Sequence, residues 1–482
     1  MATPGVDYNP AHTPKFGGGS DANILHPAVL ALAVLSLVLF FVLPRKYVIV
    51  PVMVSTFLIP MGQQFYVAGV HFFIFRILVL AAFGRMCFSK GPKEKSIYAG
   101  GWNSIDTAFS YYVLISAAAT MAQYPTGGAL VNQIGYLWDY LLGYLLIRTL
   151  IRNEKDVFLT LKCFAGLMVL LAATMIYEQM KMVNVFGLLG GVTAVPEIRE
   201  GKIRSQAVFQ HSLTAGTFAA TAVPLFFLLW KNAKARLLAV VGIVAATVMT
   251  VTTQTSTSLL TYAAGIGAIF FWPIRKKMRI VRTGLVAALV GLHLVMKAPV
   301  WFLIARVDLT GSSSSYHRAE LIDQFINHFS SWWLIGTKDA ATWGWDMWDA
   351  QNMYVSVGEV GGLVALVFYI LVISRSFSRL GKARRRAAST KQQWLIWFLG
   401  AALFANVVAF FGVNYFDQSR MAWFALISMI CACTLPGSGS DLRLKSVDGV
   451  ANFRAVQPIQ NGGAASIPSL ETSRSMREYL LD

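Results

Sequence analysis

Apolar runs separated by short basic loops fill residues 27–436, and that alternation restricts the chain to one class of fold. Crossing a bilayer takes about 20 predominantly apolar residues, since the hydrocarbon offers no water to backbone polar groups. Runs occur at 28–43, 48–60, 70–88, 107–121, 136–150, 157–176, 209–230, 237–252, 258–273, 284–304, 353–373, 394–411 and 422–435. They predict an all-α polytopic membrane protein with about 12–14 transmembrane helices. The first two are short and separated only by residues 44–47, so they read as a hairpin or as one span plus an interfacial helix. Continuous runs of this kind exclude a β-barrel, whose strands alternate in short segments. Only 13% of the residues are charged, against roughly a quarter in a soluble globular chain.

Charge orients the predicted bundle. The net charge is +18, from 41 Lys and Arg against 23 Asp and Glu. In a soluble protein this excess would suggest nucleic acid. Here the cations concentrate at 45–46, 85–95, 148–155, 231–236, 275–282 and 375–391, while the loops at 62–69, 123–135 and 253–257 carry no charge. The positive-inside tendency makes the basic set cytoplasmic, with anionic membrane lipids and not nucleic acid as its partners. Residues 1–26 are polar and Gly-rich and read as a flexible N-terminal segment, not a cleavable signal peptide. Residues 437–482 lack apolar periodicity and read as a disordered cytoplasmic tail.

Two polar intervals are too long to be ordinary turns, 177–208 and 306–351. Both fall on the side opposite the basic loops, the periplasmic or outer face in a bacterium. Long polar loops on a helical scaffold are where chemistry concentrates. The first carries Glu197, Arg199, Glu200, Lys202 and Arg204 and leads through His211 and Ser212 to Gly216. Arg204 offers a planar donor fork suited to phosphate oxygens. His211 and Ser212 fall at the start of the next helix, whose N-terminus favours an anion. The alternative is an interfacial anchor at Arg204 and a helix-start residue at His211.

The second interval runs from Ser312, Ser313, Ser314 and Ser315 through Tyr316, His317 and Arg318 into a short amphipathic helix ending near Phe329. Beyond it Trp332, Trp333, Trp343, Trp345 and Trp348 fall within 17 residues, followed by Asp349, Gln351, Asn352 and Tyr354. Such a cluster suits either a membrane-interface belt or stacking on sugar rings. The interleaved carboxylate, amides and phenol favour a saccharide platform. Arg76 stands mid-span among apolar residues and needs a partner or a wet cavity, with Asp139, Glu178 and Glu359 as candidates. A structural ion pair and a substrate contact are both open to it. The chain has no phosphate-binding Gly-Lys-Ser/Thr loop and no metal-ligand spacing in either outer interval, so neither a metal nor another cofactor is expected.

These residues resemble the O-antigen ligase/polymerase family of bacterial integral membrane proteins. The resemblance lies in Arg76, in Arg204 through Gly216, and in Ser312–Ser315 with Arg318 and Leu321. It continues through Gly336 to Gln351-Asn352-Met353-Tyr354 and Glu359-Val360-Gly361. It implies a type C glycosyltransferase architecture in the bacterial inner membrane with its active site on the periplasmic face. The implied donor is an undecaprenyl-diphosphate-linked glycan, and the acceptor is another saccharide or a lipid-A core sugar. A chain-length regulator is a further partner of such systems, and no nucleotide sugar or metal takes part. On that resemblance Arg204 and Arg318 hold the diphosphate, while Arg76, His211, His317, Trp343, Trp345, Trp348, Gln351, Asn352 and Tyr354 line the substrate site. Where the family has His before Asn-x-Tyr, this chain has Gln351, and an amide is no proton acceptor near neutral pH. Asp349 is the expected base in its place, and the missing His favours polymerase over ligase. Two competing readings are a lipid-linked oligosaccharide flippase and a non-catalytic scaffold for envelope assembly.

Overall fold

The computed structural model describes residues 23–67, 70–88, 97–231, 233–307, 309 and 315–435. Most of the predicted N-terminal segment, the predicted tail and Ser312, Ser313 and Ser314 lie outside the described residues. The chain is overwhelmingly helical, and each expected apolar run contains a helix. These begin with α1 (Pro27–Val42) and α2 (Arg45–Leu58), then a hairpin of β1 (Gln64–Val67) and β2 (Val70–Phe73), then α3 (Ile74–Phe88) and α4 (Ser104–Gln123). Next come α5 (Gly127–Leu137), a π turn over Trp138–Leu142, α6 (Gly143–Leu150) and α7 (Glu154–Lys181). A second hairpin, β3 (Glu197–Arg199) and β4 (Lys202–Arg204), precedes α8 (Ser212–Trp230), α9 (Arg236–Thr252), α10 (Ser256–Phe270) and α11 (Met278–Val295). The chain then forms α12 (Ser315–Asn327), the single turn α13 (Phe329–Trp332), α14 (Met353–Arg386), α15 (Thr390–Ala409) and α16 (Ser419–Cys433).

Among the described residues, 6 segments are long and apolar enough to cross a membrane: α4, α7, α8, Trp272–Val295 containing α11, α14 and α15. The helices α1, α9, α10 and α16 are apolar but shorter. The fold is therefore an all-α polytopic membrane protein, with six spans by length and composition where the sequence suggested twice that number.

The core is organised around α8, 94% of whose apolar window is buried. A helix apolar on every side belongs inside a bundle, and small residues let neighbours approach closely. Gly216 faces Thr253 and Ser258, while Gly265 of α10 takes the ring of Pro224. Thr217 and Thr221 turn their hydroxyls back onto helix carbonyls at 2.7 and 3.0 Å, which satisfies them inside the bundle. By contrast, no residue of α11 is buried.

The two ends of the bundle differ in charge. α2 starts at Arg45, α8 ends beside Lys231, and α14 ends in Arg384, Arg385 and Arg386. At this basic end Arg148, fully buried, donates to Asp106 Oδ1 at 3.2 Å and to the Ala99 carbonyl at 3.0 Å. Tyr144 donates to the same carboxylate oxygen at 2.5 Å, and the Asn103 backbone N–H to Oδ2 at 2.9 Å. Removing one member of such a pair strands the other in low dielectric, at a cost of about 3–5 kcal/mol. Asp106→Ala is thus expected to lower the thermal unfolding temperature in detergent sharply, whereas Arg385→Ala, on an exposed side chain, leaves it unchanged.

Both hairpins and the break in α14 escape the apolar pattern. The run expected as one span from 70 opens as a strand, so Arg76 lies in the first turn of α3 and not mid-span. The helix α7 runs on to Lys181, so the first polar interval starts later than expected. Within α14, Gly362 adopts φ +71 and interrupts the helix. Only glycine takes that conformation without strain, and a side chain there would meet the Leu334 carbonyl 2.7 Å away.

Candidate functional site

At the end of the bundle opposite the Arg148 pair, a cavity of about 620 Å³ opens among the C-terminal end of α4, α5, the start of α8, residues 337–351, the start of α14 and residues 413–416. This falls within the usual size for a small-molecule site. His211, Trp348, Asp349, Gln351 and Glu359 line it, and Arg204 and Arg318 lie beside this group.

The arginines arrive by different routes. In the β3–β4 hairpin, Glu200 and Gly201 both have positive φ, as a two-residue primed turn requires, and the resulting register sets Glu197 opposite Arg204. Arg204 Nη1 therefore donates to both Glu197 oxygens at 3.0 Å. Its Nε is buried with no partner. The turn signal Glu200-Gly201 between alternating residues was present in the sequence and marks this hairpin.

Arg318, in the first turn of α12, is 8% exposed and, among the described residues, has no carboxylate partner and no hydrogen bond at Nε. It lies against the bare backbone of Gly412, beside Thr257 in the first turn of α10. Burial, then the charges of Arg204 and Arg199, lower its pKa, and Asp349 opposes them. Three guanidinium groups from two separate loops thus share one electrostatic neighbourhood near a helix N-terminus. An unneutralised buried cation there is a standing demand for an anion. Thr257 and Gly412 were invisible to a search for charged or aromatic residues.

His211 is the N-cap of α8 and not part of its first turn. Its Nδ1 accepts from the Leu213 N–H at 3.1 Å, so the neutral ring carries its proton on Nε2, 3.8 Å from Glu197. With Nδ1 engaged, His211 has no free lone pair for use as a base. Burial, then Arg204, hold its pKa below the ordinary value, with Glu197, Asp349 and Asp417 opposing. A depressed histidine contributes stability that is complete above about pH 6.5, its unfolded value, and is lost as pH falls through the folded value. The unfolding temperature of the wild type should drop on acidification below about pH 6.5, and His211→Asn, which keeps a cap, should flatten that dependence.

Asp349 faces the cavity, half-buried, and its Oδ2 accepts from Gln351 Nε2 at 2.5 Å. His317, next to Arg318, is buried with neither ring nitrogen bonded. It does not line the cavity.

Several expected substrate contacts have other work. Arg76 is held by Asp139, with Nε to Oδ1 at 3.1 Å and Nη2 to Oδ2 at 3.0 Å, and Arg420 approaches the same carboxylate at 3.5 Å. The π turn presents Asp139 to both. The tryptophan platform does not form as a unit. Trp343 is buried against His328, and Trp332 against Phe325, because Leu321, Phe325, Met347 and Val355 make a small core under the loop. Trp345 is 80% exposed and outside the cavity wall, leaving Trp348 as the tryptophan in it. Asn352 caps α14 through Tyr354 and Val355 N–H groups, and Tyr354 donates to the Val407 carbonyl, so both act in the scaffold.

Compared with protein-family models and with curated proteins, the chain matches none.

Proposed function

We propose that the protein is a membrane glycosyltransferase that moves a glycan from an undecaprenyl-diphosphate carrier to a saccharide acceptor at the outer face of a bacterial inner membrane, as an O-antigen or exopolysaccharide polymerase ahead of a ligase. The observation that carries this reading is Arg318, buried with no carboxylate partner among the described residues, beside Arg204 and Arg199 and within the field of Asp349. A diphosphate leaving group supplies the missing negative charge, and guanidinium forks stabilise that charge as it grows. In the proposed reaction Asp349 takes the proton of the acceptor hydroxyl. The acceptor oxygen bonds to the anomeric carbon as the bond to the diphosphate breaks, and the electron pair leaves with the carrier phosphate. Gln351, bonded to Asp349, orients the carboxylate instead of acting as base. Membrane lipids surround such an enzyme, and a chain-length regulator is a plausible partner for its product.

One observation favours the transporter alternative. The break at Gly362 leaves the start of α14 as a separate helical piece at the cavity, a device of carriers that move substrates across a membrane. Deleting the gene and separating the envelope glycans distinguishes the readings. Loss of the polymerase leaves single lipid-linked units on the outer leaflet, loss of a ligase leaves long unattached chains, and loss of a flippase leaves the units on the cytoplasmic leaflet. A knockout with wild-type glycans overturns all three.

A further inference from the structure

The cavity has a second, chemically different feature. Glu359, on the second turn of α14, is buried, lines the cavity, and its Oε1 has no hydrogen-bond partner. It forms no ion pair among the described residues. Its place is fixed by the backbone, since the Glu359 carbonyl accepts from the Thr337 N–H at 2.7 Å and Gln123 Nε2 donates to the Val360 carbonyl at 3.3 Å. Gly336, at φ +81, fits so closely under that carbonyl that any side chain would collide with it. The backbone being satisfied, the carboxyl is left as the open polar group. Its companions in the wall include Ser116, Thr120, Gln133 and Tyr136, uncharged groups that donate and accept.

This combination selects a ligand. An apolar group would leave Oε1 buried and unbonded. Among the described residues no group of three acidic, His or Cys side chains could hold a metal ion. A hydroxyl can bond the Glu359 carboxyl and still accept from the surrounding donors. We infer that the Glu359 wall is an acceptor subsite for a polyhydroxylated sugar, with the Glu359 carboxyl bonding one of its hydroxyls. The inference rests on the transferase reading for the word acceptor, and on the cavity alone for the sugar.

The test uses the full-length protein in lipid nanodiscs, with undecaprenyl diphosphate as the carrier probe and a panel of neutral and uronic-acid oligosaccharides as acceptor probes. Leaving a buried hydrogen-bonding group without its partner corresponds to about 10–100-fold in affinity. Glu359→Leu should weaken neutral-glycan binding by about that factor while binding undecaprenyl diphosphate as the wild type does. Glu359→Gln, whose amide oxygen still accepts, should retain most of the affinity. Arg318→Ala should show the opposite pattern. Removing an unpaired buried carboxylate should leave the unfolding temperature of Glu359→Leu at or above the wild-type value, which separates lost binding from lost folding. Glycan affinity unchanged in Glu359→Leu, or no glycan binding by the wild type, would each overturn the subsite. Glu359-dependent glycan binding by a protein that ignores undecaprenyl diphosphate would uphold the sugar site while removing the transferase.

Discussion

Arg318→Ala is expected to reduce glycan transfer by about 10²–10³-fold, the usual consequence of deleting a group aimed at developing negative charge. The same substitution should not destabilise the protein. Other wholly or partly buried arginines in this fold are tied to carboxylates, as Arg148 is to Asp106 and Arg76 to Asp139. Deleting either would leave an acid stranded. Arg318 leaves none behind, and its removal relieves the repulsion from Arg204 and Arg199. Lost activity with an equal or higher unfolding temperature is therefore the signature of a cation kept for a ligand. Arg318→Lys should recover only part of the rate, because a point charge replaces a fork that can bridge two phosphate oxygens. Arg204→Ala differs, since it also releases Glu197, and should cost both activity and some stability. The measurements are transfer from an undecaprenyl-diphosphate-linked glycan in proteoliposomes and thermal unfolding of the same preparations. Full transfer in both alanine variants would remove the diphosphate clamp.

What the sequence made legible follows from which physical signal each residue obeys. Apolar runs set the helices, because burial and lipid exposure both select long stretches of Leu, Val, Phe and Ala. The charge asymmetry of the loops foretold that the basic ends and the long polar intervals lie apart, as Arg148 and Arg318 do. The number of spans was less legible. A run such as 70–88 is mostly apolar, yet its first residues pair as a strand with β1, and apolarity alone does not distinguish the two.

Within the site, charge was informative and aromaticity was not. Arg204 and Arg318 are near each other because two separate loops fold over α8 and α10, a meeting that neither loop encodes locally. Trp343 and Trp332 look identical in sequence to Trp348, but two fill the core beneath the loop and one reaches the cavity. Glu359 stood in the resemblance motif and as a candidate partner for Arg76, with no ligand-binding role. Its significance is an absence of partners, which only the packing of Gly336 and Thr337 against α14 reveals.

Asp349→Asn should slow transfer by about 10²–10⁴-fold, the range associated with general acid–base catalysis, with carrier binding intact. The substitution is nearly isosteric. The amide can keep its oxygen toward Gln351 Nε2, so the loop geometry survives while the proton acceptor is lost. Two histidines compete with Asp349 for the role of base, and they and a change at Gln351 each make a different forecast. His211 has its Nδ1 committed to the α8 cap, so His211→Ala should act mainly through stability. His317 is unbonded but stands outside the cavity lining, so His317→Ala should reduce transfer far less than Asp349→Asn. Gln351→His would restore the residue that the resembling family carries at this point. If Asp349 has taken over its task, that change adds little to the wild type but rescues Asp349→Asn in part, because the imidazole would stand two residues from the lost carboxylate. Initial rates at saturating carrier for the single and double variants decide between them. Should His317→Ala prove the more damaging, or should Gln351→His fail to improve Asp349→Asn while that variant stays fully active, Asp349 would be a loop-fixing residue and the proton would have to leave by another group.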